Sequence, residues 1–440
     1  MECITNYIIE NYILNTKWND FSDKVKERAV VCAIDLMTAL IIGSKGRQHS
    51  VGLRLAKQIY NGGNVPIVGS DERLSFIGAT VAMSHASNSF DIDDGFNMVR
   101  GHPGTSFVGG ILAAAMEKDI SYREYLTTLV IAYESTIRWA LAMQHFYQFL
   151  HSTGTYGSFG TAAGVGRIFG LNKETLNNAL SIADFHAPIV PVMRAVEYPS
   201  MNKDGVPFGG MVGAMSVLEA MNGYEGKTHF FEMPEYQYLL DTLGERYYIM
   251  ELYFKPFTCC RWAHQPIMAA MQLMKDNNFS ANDIKSVTVH TFVAATKLSK
   301  TVPYTTDEAQ YNLAYPIAAA IVHGDLGYMQ VREESLGDTQ VLDIMKRLNF
   351  IVDPEMEKQF PAKRLAWVEM VLKDNKVLRS KVFAAPGEAS DNVDYDWITQ
   401  KFKRITAPLL KPQKQKEILD GMSGSFDVSI RSIVETIGKI

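Results

Sequence analysis

Apolar positions recur at helical spacing from the N-terminus to about Phe254. Asp23 to Ile42 places Val25, Ala29, Val30, Ala33, Met37 and Leu40 on one face, which predicts a buried amphipathic helix. Glu72 to Ser89 and Ser121 to Met143 repeat the pattern. Thr155 to Phe169 (TYGSFGTAAGVGRIF) is dense in Gly and Ala, and predicts a helix that lets another backbone come close. Asn172 reads as the cap of a short helix through Leu176 to Ala183. Val206 to Met221 reads as a second small-residue helix, stopped by Asn222-Gly223.

The texture changes near Phe254-Lys-Pro-Phe. Ile284 to Phe292 alternates and is rich in β-branched residues, so it predicts a strand. Asn349 to Val352 predicts a short strand, and Ala366 to Leu372 with Lys376 to Phe383 predict a hairpin around Lys373-Asp-Asn. Helices are expected at Gln265 to Asn277 and Asp307 to His323, and again from Tyr395 to the C-terminus. The expected fold class is mainly α. A large helical domain takes both chain ends (residues 1–253 and 395–440), and a smaller α+β lid domain (residues 254–394) is inserted in it.

Composition narrows the function classes. Of the 440 residues, 47% are hydrophobic and 21% charged, which excludes a disordered or fibrous chain. A net charge of −5 offers no general attraction to nucleic acid or to anionic lipid, so neither is an expected partner. Four cysteines (Cys3, Cys32, Cys259, Cys260) are too few for a disulfide framework and contain no CxxC, which fits a reducing compartment. The N-terminal stretch carries Glu2 and Glu10 where a signal peptide needs positive charge and then an apolar run. Ala29 to Gly43 is broken by Asp35 and too short to span a bilayer. A soluble cytoplasmic protein is expected.

Five stretches could carry chemistry. Asp91-Ile-Asp-Asp94 followed by Gly101-His102-Pro103-Gly104 puts three carboxylates and a histidine in a stretch without helical period, which predicts a loop at a helix end. It reads equally as a solvated acidic loop. DxDD could also supply oxygen ligands to a metal, but no partnering ligand cluster supports that, and no metal is expected. His151-Ser-Thr153 enters the Gly/Ala helix, whose N-terminus suits a carboxylate, although Ser152 or Thr153 could be a plain cap. Gly164-Val-Gly166-Arg-Ile-Phe-Gly170 falls inside a helix pattern with no strand before it, which excludes a dinucleotide loop. Lys203 lies just before another small-residue helix. Lys255-Pro-Phe-Thr-Cys-Cys-Arg261-Trp-Ala-His264 sits at the proposed domain junction, where clefts form. Its two adjacent cysteines do not make an iron–sulfur site. Finally, Tyr311 and Tyr315 share a helix face if Asp307 to His323 is one helix.

Taken together, DIDDGFNMVRGHPG, HSTGTYGSFGTAAGVGRIFGL, the Lys203 stretch, KPFTCCRWAH, EAQYNLAYPIAAAI and VDPEME resemble the MmgE/PrpD family, in order and over nearly the whole chain. That family includes 2-methylcitrate dehydratase, cis-aconitate decarboxylase and iminodisuccinate epimerase. The resemblance implies a helical domain with an α+β lid, a homodimer, an active site in the cleft between them, and no metal or organic cofactor. It places the site on Asp91, His102, His151, Lys203, His264 and Tyr315. Two departures stand at positions expected to touch substrate. Gly95 replaces a threonine of the decarboxylase branch, and the stretch after Lys203 (DGVPFGGMVG) lacks an expected histidine.

The chemistry shared by such reactions is a carbanion or enolate next to a carboxylate. Histidines suit the proton transfers, because their pKa lies near working pH, and cations suit the carboxylates. His102 and His264 are therefore expected as the acid/base pair, with Asp91 orienting a histidine and Tyr315 donating a hydrogen bond. Lys203, Thr153 and Arg261 are expected to bind substrate. The expected activity is a cofactor-independent lyase on a small di- or tricarboxylate, a 2-methylcitrate-type dehydratase first. An epimerase, a decarboxylase or a silent carboxylate-binding protein is the alternative.

Overall fold

The computed structural model describes residues 7–440. Cys3, and part of the N-terminal stretch on which the signal-peptide expectation rests, lie outside the described residues. The fold is mainly α with a small α+β part, as the periodicity indicates. Asp23–Gly43 is capped by the Ser22 hydroxyl, and every residue from Ala29 to Gly43 is buried, so this helix runs through the core. The next expected helix starts later than its pattern, at Phe76–Ser87. Arg73–Leu74 pair antiparallel with Val65–Pro66 instead, and the Ser75 side chain caps the helix. Pro103–Glu117 is a helix that periodicity does not announce. It is buried on nearly all sides and so has no polar face to mark its turns. Pro103 sits in its first turn, where a missing N–H costs nothing, and this fixes His102 as the residue on which the helix opens.

The small residues of Thr153–Ile168 and Val206–Met221 act as expected. A Cβ on Gly154 would collide with the Gly205 carbonyl, and one on Gly209 with the Gly154 carbonyl, so the two helices touch backbone to backbone. This contact holds the segment Lys203–Gly205 against the start of the first helix, where the Gly154 N–H donates to the Asp204 carbonyl at 2.7 Å.

The sheet of the α+β part runs Leu348–Val352, Ile284–Thr291, Leu365–Leu372, Val377–Arg379. The first pair is parallel and the others antiparallel. The expected second hairpin strand ends early: Val377–Arg379 leaves the ladder, and Phe383–Ala384 returns to pair with Leu365–Ala366. The helix expected over Asp307 to His323 is two helices, Thr306–Gln310 and Ala314–His323. Asn312 breaks it, its side-chain oxygen accepting the Tyr315 N–H at 2.8 Å.

Two apolar cores result. One draws on residues between Ile9 and Phe254 and also on Val393, Ile398, Phe402, Ile418 and Ile433 near the chain end. The other lies between Phe257 and Phe383, with Ala39, Ile42, Phe90 and Ile92 reaching into it from the helical side. Among the described residues no single helix is long and apolar enough to cross a membrane.

Lys401 joins these parts. Buried on Tyr395–Thr406, its ammonium donates to Asp35 in the central helix and, at 2.6 Å, to the Ile92 carbonyl in the acidic loop. Burial pushes Asp35 up to about 6 even with the lysine beside it. Lys401→Met leaves that carboxyl unpaired, and is expected to cost about 3–5 kcal/mol in urea unfolding; a loss within error of zero would show the pair to be dispensable. Gly209→Ala is expected to cost about 1–3 kcal/mol by overpacking the helix contact, read as a lower melting temperature than wild type.

Candidate active site

The acidic loop is folded inward. Asp91, Asp93 and Asp94 are all buried, which sets aside the solvated-loop alternative. Asp91 adopts φ 49°, a left-handed conformation uncommon outside Gly, Asn and Asp. This turn directs its carboxylate to the Lys255 ammonium, which donates to Asp91 Oδ1 at 2.5 Å and to the Asp91 carbonyl at 3.2 Å. Lys255 is wholly buried, and although burial opposes its charge, Asp91 and Asp93 hold its pKa above the usual lysine range. Asp94 does structural work. It accepts the Gly104 N–H at 3.1 Å and the Tyr133 hydroxyl, and burial pushes it up to about 7.

His102 stands inside this ring of carboxylates. Its Nδ1 donates to the Asp94 carbonyl at 2.8 Å and lies 3.2 Å from Asp93 Oδ2, while Nε2 lies 3.6 Å from Asp91 Oδ1. A carbonyl can only accept, so Nδ1 carries a proton and Nε2 is the position that gains or loses one. Burial and the Lys255 ammonium oppose a charge on the ring, but Asp93 and Asp91 outweigh them and raise His102 to about 9. At neutral pH it is an imidazolium, a proton donor.

Asp204 completes the group. It lies between Lys203 and the Val206–Met221 helix, and its Oδ2 accepts the Tyr311 hydroxyl at 2.8 Å. Burial raises its carboxyl above the ordinary range, the His102 charge acting against this. One ligand atom from each of Asp91, His102 and Asp204 lies within 4.8 Å of the others, a spacing that could hold a cation. At Asp91 the Lys255 ammonium already supplies the positive charge.

The other expected site residues are placed differently. Lys203 is buried at the junction, but its ammonium donates to the Ser89 carbonyl and to Gln310 Oε1, both at 2.9 Å, and lies 3.4 Å from Asp307. It clasps the acidic loop to the α+β part. Thr153 accepts the His102 N–H and the Tyr156 hydroxyl, both at 3.2 Å, so it positions His102. His151 is buried with neither ring nitrogen partnered, its ring 4.1 Å from that of Phe149, and burial lowers it to about 4. Among the described residues no hydrogen bond or ion pair joins it to the cluster. His264 is wholly buried, its Nε2 donating to the Cys259 carbonyl at 3.0 Å; burial first, then Arg261 and Lys255, keep it neutral. No such contact links it to His102 either. Arg261 is engaged with the Ala385 and Pro386 carbonyls and with Glu388, and covers the Tyr253 ring. Tyr315 turns the other way, donating to the Gln330 carbonyl at 2.8 Å and the Ser335 carbonyl at 3.2 Å. The break at Asn312 separates it from Tyr311, and Tyr311 is the hydroxyl that reaches the cluster.

Lys255, Asp93 and Tyr311 stand inside the candidate stretches but were given no site role, and with Asp204 they are the residues that the structure brings to His102 and Asp91. Asp204 had a signal, since it adjoins Lys203 ahead of a helix. Gly95 is explained as well. It pairs both ways with the Tyr253 backbone at 2.9 Å, and a Cβ there would run into the Tyr253 ring, which fills the room of any larger side chain. Beside the cluster opens a cavity of about 630 Å³. It reaches the site region through Ser152, Lys203 and Gly205, and none of Asp91, His102 or Asp204 lines it.

The helical fold with its small α+β part thus buries one histidine among carboxylates and a lysine, a setting suited to proton transfer. The chain matches the MmgE/PrpD N-terminal domain over residues 8–242 and the MmgE/PrpD C-terminal domain over residues 257–423, and it belongs to that family. Among curated proteins it is similar to the cis-aconitate decarboxylase-like protein oryM of Aspergillus oryzae, with 21% identity over 95% of this chain and 94% of that one. It is also similar to a cis-aconitate decarboxylase of Aspergillus terreus, with 20% identity over 94% of this chain and 92% of that one.

The raised pKa of His102 has a measurable sign. A proton held more tightly in the folded state stabilises it fully below the unfolded value of 6.5, and that contribution is lost as pH rises through about 9. The urea midpoint of the wild type is expected to fall across this window. His102→Gln should start lower and lose that slope; an unchanged slope would mean that another group titrates.

Proposed function

We propose that this protein is a lyase acting on a small di- or tricarboxylate, with His102 as the proton donor to carbon or to a leaving hydroxyl. The observation that carries this is the charged His102 ring, whose Nε2 faces Asp91 and Asp204 at the junction of the two cores. Decarboxylation is the first reading. The C–CO2 bond breaks, its electron pair passes into the conjugated acid, and His102 delivers a proton to the resulting carbanion. The names of the relatives support it, and so does a site whose clearest feature is an acid. Dehydration is the second reading, and Asp204 favours it. A carboxyl with a raised pKa, hydrogen-bonded by Tyr311, is suited to removing a proton while His102 protonates the leaving hydroxyl. Both readings use no metal, since Lys255 provides the charge that a cation would bring to Asp91. The resemblance to the family further supports a homodimer, which light scattering checks as twice the mass of one chain, and four cysteines without a CxxC support a reducing, cytoplasmic setting.

The test is a panel of unsaturated and hydroxy di- and tricarboxylates, including cis-aconitate, followed by CO2 release and by alkene absorbance. CO2 release selects the first reading, and alkene formation or hydration without CO2 selects the second. His102→Gln is expected to lower kcat by about 10²-fold or more with folding kept. Near-normal turnover in that variant would remove His102 from the chemistry. Activity is expected to survive EDTA; loss on chelation with recovery on adding a divalent ion would assign Asp91, His102 and Asp204 to a metal instead.

A further inference from the structure

The cavity beside the cluster has features that the proton-transfer residues do not explain. Its wall carries two cations, Arg194 and Lys203, and none of its lining residues is Asp or Glu. Lys203 is spent on Ser89, Gln310 and Asp307, whereas Arg194, on the short helix Met193–Glu197, has no carboxylate partner among the described residues. Two buried polar atoms in the same wall are unpartnered: Ser152 Oγ, and Gln48 Oε1, whose amide nitrogen is taken by the Met201 carbonyl. Buried polar groups are nearly always satisfied, and of these two atoms the Ser152 hydroxyl is the one that can donate to a carboxylate. The remaining wall is largely apolar, with Val51 and Phe208 contributed by different helices. At about 630 Å³ the cavity is in the range of ligand pockets and larger than a citrate-sized acid fills.

We propose that this cavity binds an organic carboxylate that carries an apolar substituent of several carbons. Arg194 and Ser152 hold the carboxylate, and the Val51–Phe208 side takes the chain. The proposal rests on the lyase reading only in placing the reacting end of such an acid toward Lys203 and the His102 cluster. It narrows the substrate class from small polycarboxylates to substituted ones, and makes Arg194 a carboxylate-binding residue and Phe208 a specificity-determining one.

Two unreactive probes test it by calorimetry on the full chain, succinate and 2-hexylsuccinate. The hexyl acid is expected to bind at least about tenfold more tightly than succinate, because its chain leaves water. Arg194→Gln should weaken both by about tenfold through loss of a charge-assisted pair, with Arg194→Lys recovering part. Phe208→Ser, which removes apolar surface without adding charge, should weaken the hexyl acid and bring its affinity down to that of succinate. Both positions are on the surface, so folding is not at stake. Equal affinities of the two acids, or an unchanged affinity in Arg194→Gln, would overturn the proposal. Its fate separates from that of the lyase reading. The binding pattern without turnover of any acid keeps the cavity and removes the lyase. Turnover of acids that is indifferent to Arg194 and to the apolar chain keeps the lyase and removes the cavity assignment.

Discussion

The ion pair between Lys255 and Asp91 is the contact on which the site depends. A lysine with no exposed surface keeps its charge only if carboxylates surround it, and Asp91 bends into a left-handed turn to supply one. Lys255 comes from the segment that opens the α+β part, and Asp91 from a loop of the helical part. The pair therefore fixes the acidic loop against the second core. His102 is charged because the same loop also presents Asp93, and its ring is aimed because Pro103 starts a helix immediately after it.

Placing so much charge in a dry interior is costly, and the sequence offsets the cost by connecting each group to the next. Lys401 closes one end of the chain of contacts on Asp35 and Ile92, and Lys203 closes the other on Ser89 and Gln310. A buried network of this kind is favourable only when its members are satisfied. This is why Lys203, a natural candidate for holding substrate, is found holding the protein.

Helices with one polar face, such as His264–Asn277, were legible in the sequence, as was the alternating strand Ile284–Thr291, because each exposes a periodicity that burial imposes. Pro103–Glu117 was not, because a helix buried all round has no period to read. The site was legible as motifs but not as partners. DIDD, His102 and Lys203 mark their segments correctly, yet nothing in their spacing says that Lys255 rather than Arg261 meets the carboxylates. The exchange of Tyr315 for Tyr311 has a local cause, since one asparagine capping a new helix turns the two hydroxyls apart. Asp204 was hidden by its neighbour, because adjacent residues on a turn point to different partners and sequence cannot say which of them faces the site.

The pairing of Gly95 with Tyr253 limits how this protein could have diverged from its relatives, or could be returned toward them. The ring of Tyr253 occupies the volume that any side chain at position 95 would need. The two positions can therefore change in one order only. A smaller residue at 253 opens a void that a later change at 95 can fill, while a change at 95 made first meets the tyrosine and fails. Any enlargement at 95 must first vacate the ring, which makes the tyrosine, distant in sequence, the gatekeeper of the glycine.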